Sequence, residues 1–110
     1  MAARVALRDR ETKEKPLAED EAKATRIADV LKAVAHPLRL RIVAILCRHE
    51  ENVNGLAARL GAPQAIVSQQ LRILRLHDLV TVTREGGFAV YRLAEPQLET
   101  LVSCMEHCHR

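Results

Sequence analysis

NGLAARLGAPQAIVSQQLRILRLH, residues 54–77, reads as two helices joined by a tight turn. The first runs from about Asn54 to Leu60 and closes at Gly61, the residue type that most readily ends a helix in a left-handed turn. Pro63, with its preset φ and missing N–H, suits the start of a second, longer helix that extends to about His77. A short helix, a glycine turn and a longer helix make the helix-turn-helix pattern. At about 100° per residue the second helix sorts its side chains by face. Val67, Leu71 and Leu74 fall on one side, toward a core. Ala65, Ser68, Gln69 and Arg72 fall on the other, with Gln64 near the N-terminal end.

Working outward, Val80 to Arg84 alternates β-branched and polar residues, as a half-exposed strand does. Gly86-Gly87 is a two-residue hairpin turn, and Phe88 to Leu93 returns from it. Pro96 starts a last helix in which Leu98, Leu101, Val102 and Met105 recur at i, i+3, i+4, i+7. The same stripe appears upstream in Ile27, Val30, Leu31 and Val34. That helix begins near Asp20 and stops near Ala35, because His36 precedes a proline. Pro37 opens the next helix. Leu38, Ile42, Ile45 and Leu46 lie along one side of it and Leu40, Val43 and Cys47 along the other, so it reads as central and buried. It gives way at the polar run Arg48 to Asn52. The predicted fold is mainly α with a small β-hairpin, a winged helix-turn-helix of order α-α-α-α-β-β-α. Residues 1–17 alternate in charge sign and read as a flexible charged N-terminal arm, and residues 18–110 as one folded domain.

A chain of 110 residues has room for one domain, and a short one completes its core most readily by sharing helices with a second copy. The balance of 48% apolar and 28% charged residues is that of a globular protein and excludes a disordered one. A net charge of +3 permits nucleic-acid binding, and its placement says more. Between Asn54 and Arg92 lie Arg59, Arg72, Arg75, Arg84 and Arg92, against only Asp78 and Glu85. No apolar run approaches the roughly 18 residues of a membrane span, and the N-terminus lacks a signal-peptide core, so a cytoplasmic protein without membrane contact is expected. Cys47, Cys104 and Cys108 are then reduced thiols, and their odd number argues against a simple disulfide framework. No nucleophile–base spacing, phosphate loop or carboxylate pair points to an enzyme.

The outward face of the helix from Pro63 to His77 carries groups that read DNA. Glutamine pairs bidentately with adenine, serine contacts a base or a phosphate, and arginine clamps guanine or a phosphate. A solvated polar face would look the same in isolation. The preceding short helix, the turn and the following hairpin favour a helix laid into the major groove. On the hairpin, Arg84 and Arg92 and the backbone amides of Gly86 and Gly87 are placed to meet phosphates.

Ala35-His36-Pro37-Leu38-Arg39-Leu40-Arg41-Ile42 resembles the start of the second helix in the ArsR/SmtB family of repressors. Val67-Ser68-Gln69-Gln70-Leu71 resembles their recognition helix, with Gln70 where many members carry histidine. Asp78-Leu79-Val80, then Arg84-Glu85-Gly86 and Val90-Tyr91-Arg92-Leu93, are similar to their wing. The resemblance spans about Ile27 to Leu98. It implies a homodimer whose first and last helices pack across the two-fold axis, bound to a double-stranded operator and released by an inducer. The DNA-facing residues expected are Gln64, Ala65, Ser68, Gln69, Gln70 and Arg72, with Arg84, Gly86, Gly87 and Arg92 from the wing.

Two metal sites used in that family lack their residues here. The stretch Glu51 to Ala57 contains no cysteine, and Glu95-Pro96-Gln97 lacks the histidine of the last-helix site. Cys104, His107, Cys108 and His109 remain. Cys104 and Cys108 are four apart, so one helical turn brings both thiols to one flank. Paired soft thiolates suit a thiophilic ion such as arsenite, antimonite, cadmium or copper(I). The sensing residues expected are Cys104 and Cys108, with Cys47 and His109 as secondary candidates. Redox or persulfide sensing by the same cysteines, and a DNA-binding protein with no inducer, are the alternatives. Cys47 stands a turn later than the second-helix cysteine of the relatives that sense in this way.

Overall fold

The carboxylate of Asp20 accepts the N–H of Lys23 at 3.0 Å and starts helix α1, Glu21–Val34. The structure, a computed structural model, describes residues 15–108. Residues 1–14 of the expected arm lie outside them, and Leu17–Glu19 forms a single 3₁₀ turn ahead of α1. His36 then takes an extended conformation, as a residue before proline must. Its ring Nδ1 accepts the N–H groups of Leu38 and Arg39 at 3.2 and 3.5 Å, capping helix α2, Pro37–Leu46.

The polar run after α2 is not only a break. Glu51–Asn52 forms a two-residue strand, β1, paired with Tyr91 and Val90 of the hairpin. Two residues are too few to show an alternating pattern, and such pairing uses backbone groups alone. Asn52 also caps the next helix, α3 (Val53–Leu60), its Oδ1 accepting the N–H of Gly55 at 2.8 Å. Gly61 ends α3 in the left-handed region, at φ 63°.

Helix α4 is Gln64–Leu76, and it leads through a turn at Asp78 into β2, Val80–Glu85. Strand β3, Phe88–Leu93, returns antiparallel, with Val82 opposite Tyr91 and Glu85 opposite Phe88. Gly86 and Gly87 both sit at positive φ, 57° and 84°, as the tightest hairpin turn requires. The sheet is therefore three-stranded, in the order β1-β3-β2, where the sequence pattern shows only the hairpin. Helix α5, Gln97–Glu106, closes the fold.

Ile42 and Val43 of α2 are fully enclosed with Leu56 of α3, Val67, Leu71 and Leu74 of α4, and Leu79 and Val80 at the start of the wing. Leu98 and Val102 seal α5 onto this core. Leu40, which the pattern places on a second buried side of α2, is instead 40% exposed. The helix is central but not enclosed all round. Between α1 and α5 runs an apolar groove of about 450 Å³, lined by Ile27, Val30, Leu31, Leu98 and Leu101 with Lys23, Arg26 and Glu95 at its rim. Among the described residues, no helix is long and apolar enough to cross a membrane.

Candidate nucleic-acid interface

Helix α4 is held by three side chains with no exposed surface, Val67, Leu71 and Leu74. Because these fill the core, the opposite face must turn outward. Gln64, Ala65, Ser68, Gln69 and Arg72 are all exposed, as the helical spacing predicts. A groove of about 640 Å³ opens between this face and the wing, lined by Ala65, Ile66, Ser68, Gln69, Arg72, Arg75 and Tyr91. Arg75 and Tyr91 lie outside the DNA-facing set that the sequence predicts. Arg75 was legible there, since it follows Arg72 by three positions on the same helix. Tyr91 comes to the groove through strand pairing, and no local pattern announces that.

The wing residues divide. Arg84 is exposed, and among the described residues no carboxylate pairs with it; Gly86 and Gly87 form the exposed tip. Arg92 stands apart from this group. Its Nε lies 2.6 Å from a Glu50 carboxylate oxygen, and one Nη lies 2.5 Å from Glu85. The other Nη donates to the Thr83 hydroxyl at 2.6 Å. The hydrogen bond from Arg92, with a second from Thr83, holds the Glu85 carboxyl below the usual glutamate range. The same pairing, with Glu50 adding to it, raises the Arg92 guanidinium. Arg92 thus braces the three strands, and its charge is already balanced by two carboxylates. Gln70 also leaves the outward face. It is half-buried, and its Oε1 accepts from Nε of Arg39 at 3.0 Å.

The thiols occupy two different settings. Cys47 ends α2 beside a cavity of about 140 Å³ shared with Ala44, Arg48, Glu99, Val102, Ser103 and Glu106. Burial pushes its thiol up; Glu99 and Glu106 add to the rise, and Arg48 opposes it. Near neutral pH Cys47 therefore stays a thiol, the less reactive form. Cys104 and Cys108 are both free and exposed. They do not share one α-helical flank, however, because α5 ends at Glu106. The N–H groups of His107 and Cys108 bond three residues back, to Cys104 and Met105, and the His107 ring bonds the Ser103 carbonyl at 2.7 Å. This tightened last turn carries Cys108 just past the helix. His109 lies outside the described residues. Among those described, no three histidine, cysteine or acidic side chains converge on a metal-sized centre.

Residues 36–82 match the model of a family described as bacterial regulatory protein, arsR family. The chain is 39% identical over 90 residues to the biofilm growth-associated repressor of Agrobacterium fabrum, covering 82% of this chain and 77% of that one. The solved transcriptional repressor BigR from Xylella fastidiosa superposes with a TM-score of 0.77 at 32% identity, over 87% of this chain and all of that one. The AntR antimony-specific transcriptional repressor superposes with a TM-score of 0.75 at 25% identity, over 87% of this chain and 86% of that one.

Proposed function

The chain belongs to the ArsR/SmtB family of bacterial transcriptional regulators, and from that premise we propose that it is a ligand-responsive repressor binding an inverted-repeat operator as a homodimer. The observation that carries this reading is the exposed polar face of α4, with Gln64, Ala65, Ser68, Gln69 and Arg72 beside the groove toward the wing. These groups meet base edges, while Arg84 and the amides of Gly86 and Gly87 follow the phosphates. A second copy covers the apolar groove between α1 and α5, giving two recognition helices related by a two-fold axis. The protein acts in the cytoplasm, where thiols stay reduced.

Induction begins at Cys104 and Cys108. Both thiols are accessible, and their donor type suits a thiophilic ion such as arsenite, antimonite, cadmium or copper(I). A relative named as an antimony-specific repressor favours the same chemistry. The two thiols supply two soft ligands, and the second protomer supplies the rest. Since α5 borders the dimer groove, coordination there favours an arrangement that DNA does not fit, through a coupling of roughly 1–3 kcal/mol.

The test uses the full chain and the duplex it enriches from a randomised DNA pool, titrated with and without arsenite. Selective binding is expected, and Gln69→Ala and Arg72→Ala should each weaken it by about 1–3 kcal/mol while the chain stays folded. Arsenite should release the parent but not a Cys104→Ser/Cys108→Ser double variant. Full affinity in both helix variants would remove α4 from the groove. Normal release of the double variant would make the C-terminal thiols bystanders, and its response to cadmium or a persulfide would then point to Cys47 or the histidines.

A further inference from the structure

Arg39 joins three helices. The Ala33 carbonyl, near the end of α1, would ordinarily accept from the backbone N–H four residues on, but position 37 is proline and has none. The carbonyl is one of the orphan acceptors of a helix end. An Nη of Arg39 takes it instead, at 2.7 Å, and the cation sits where the α1 dipole favours it. The backbone of Arg39 is tied at the same time to the His36 cap of α2. Its guanidinium is therefore anchored at Ala33, and its backbone at His36, before the side chain meets α4. There Nε donates to Oε1 of Gln70 at 3.0 Å, and both side chains are half-buried. Among the described residues no carboxylate faces Arg39.

We propose that Arg39 and Gln70 are positioning residues that set the rotation and seating of α4 against α1, and that Gln70 acts on DNA through this brace rather than by touching a base. Gln70 lies between Gln69 and Arg72 in sequence, about 100° round the helix from Gln69. Holding its amide oxygen on a fixed guanidinium fixes the direction in which Gln69 and Arg72 project. It also links α1, which borders the apolar groove, to the recognition helix, so a shift of 1–2 Å at that groove, the usual scale of such helix movements, reaches the DNA-facing side chains by a short path. The proposal rests on the operator-binding reading above.

Two substitutions separate a brace from a base contact. Gln70→Ala removes the acceptor. Gln70→Glu keeps an acceptor facing Arg39 and gives that cation a partner, yet puts a negative charge near phosphates if the side chain meets DNA. Each full-length variant is titrated, at one salt concentration, with the duplex that the parent enriches from a randomised pool, and each is put through the same enrichment. Expected is a loss of about tenfold for Gln70→Ala, the scale of a hydrogen bond to a charged group, with base preference changed only at positions that Gln69→Ala or Arg72→Ala also relaxes. Gln70→Glu should bind more tightly than Gln70→Ala. An inverted order, a base position relaxed in Gln70→Ala that neither Gln69→Ala nor Arg72→Ala relaxes, or full affinity in Gln70→Ala would overturn the brace while leaving operator binding intact. Failure of the parent to enrich any sequence would overturn the operator reading, and the brace's role with it.

Discussion

Arg84 and Arg92 stand on adjacent strands of one wing in opposite settings. Arg84 is exposed and, among the described residues, meets no carboxylate, whereas Arg92 is held by Glu50, Thr83 and Glu85. The pairing has a measurable sign. Arg92 and Thr83 depress the Glu85 carboxyl in the folded protein, so their contribution is fully present above the unfolded glutamate value, about 4.3, and is lost as pH falls through the lower folded value. In an NMR titration the Glu85 carboxyl should therefore reach its midpoint below that of an ordinary glutamate. Arg92→Ala should return it to the ordinary range. A normal midpoint in the parent would mean that the brace does not persist in solution. Because Glu85 is exposed, the effect should read as local order in the wing and shrink with added salt.

At the scale of elements, the junction of β1 and α3 concentrates several roles in few residues. Asn52 pairs with Val90 through its backbone and caps α3 with its side chain. Glu51 accepts the N–H of Asn52 at 3.0 Å and faces Arg59 of α3 at 3.5 Å. Its carboxylate occupies the space a side chain on Gly55 would need: a Cβ there would lie 2.2 Å from the nearest carboxyl atom. Asn52→Ala should cost about 1 kcal/mol, the usual value of a lost cap, because the strand pairing survives it. In a thermal melt at fixed protein concentration that corresponds to a fall of roughly 4–8 °C. An unchanged melting temperature would show that water replaces the cap at no cost.

At the scale of the molecule, the groove between α1 and α5 leaves Leu31 45% exposed beside half-buried Ile27, Val30 and Leu101. Sedimentation of the parent should give about twice the 12.3 kDa chain mass. Leu31→Glu should give monomers that stay folded, because an exposed substitution of this kind usually changes monomer stability by no more than about 0.5 kcal/mol. The same variant should lose operator affinity, since two half-sites are then no longer read together. On the parent's operator, protection should cover an imperfect inverted repeat with half-site centres about one helical turn, or a small multiple of it, apart. A footprint confined to one asymmetric half-site would sink the dimer.

Most of this fold is written locally, in periods and punctuation. Val67, Leu71 and Leu74 recur at helical spacing, Pro37 and Pro63 begin helices, Gly61 ends one, and Gly86-Gly87 turns the hairpin; each acts through its own backbone or its near neighbours, so the sequence alone determines the helices, the wing and the outward face of α4. What joins residues far apart in the chain has no such signature. The strand at Glu51–Asn52 exists because β3 offers it an edge. Tyr91 reaches the groove beside α4 because β3 pairs with β2, the strand that packs against that helix. Arg92 and Gln70 could be read from sequence only as polar residues on exposed faces, and it is the approach of Glu50, Glu85 and Arg39 that turns them inward to the protein. The end of α5 before Cys108, where the N–H groups of His107 and Cys108 bond three residues back, has no such signature either. Helical and strand periods depend on covalent geometry, which every residue carries with it, whereas the partner of a charged or amide side chain depends on which elements the packed core brings together.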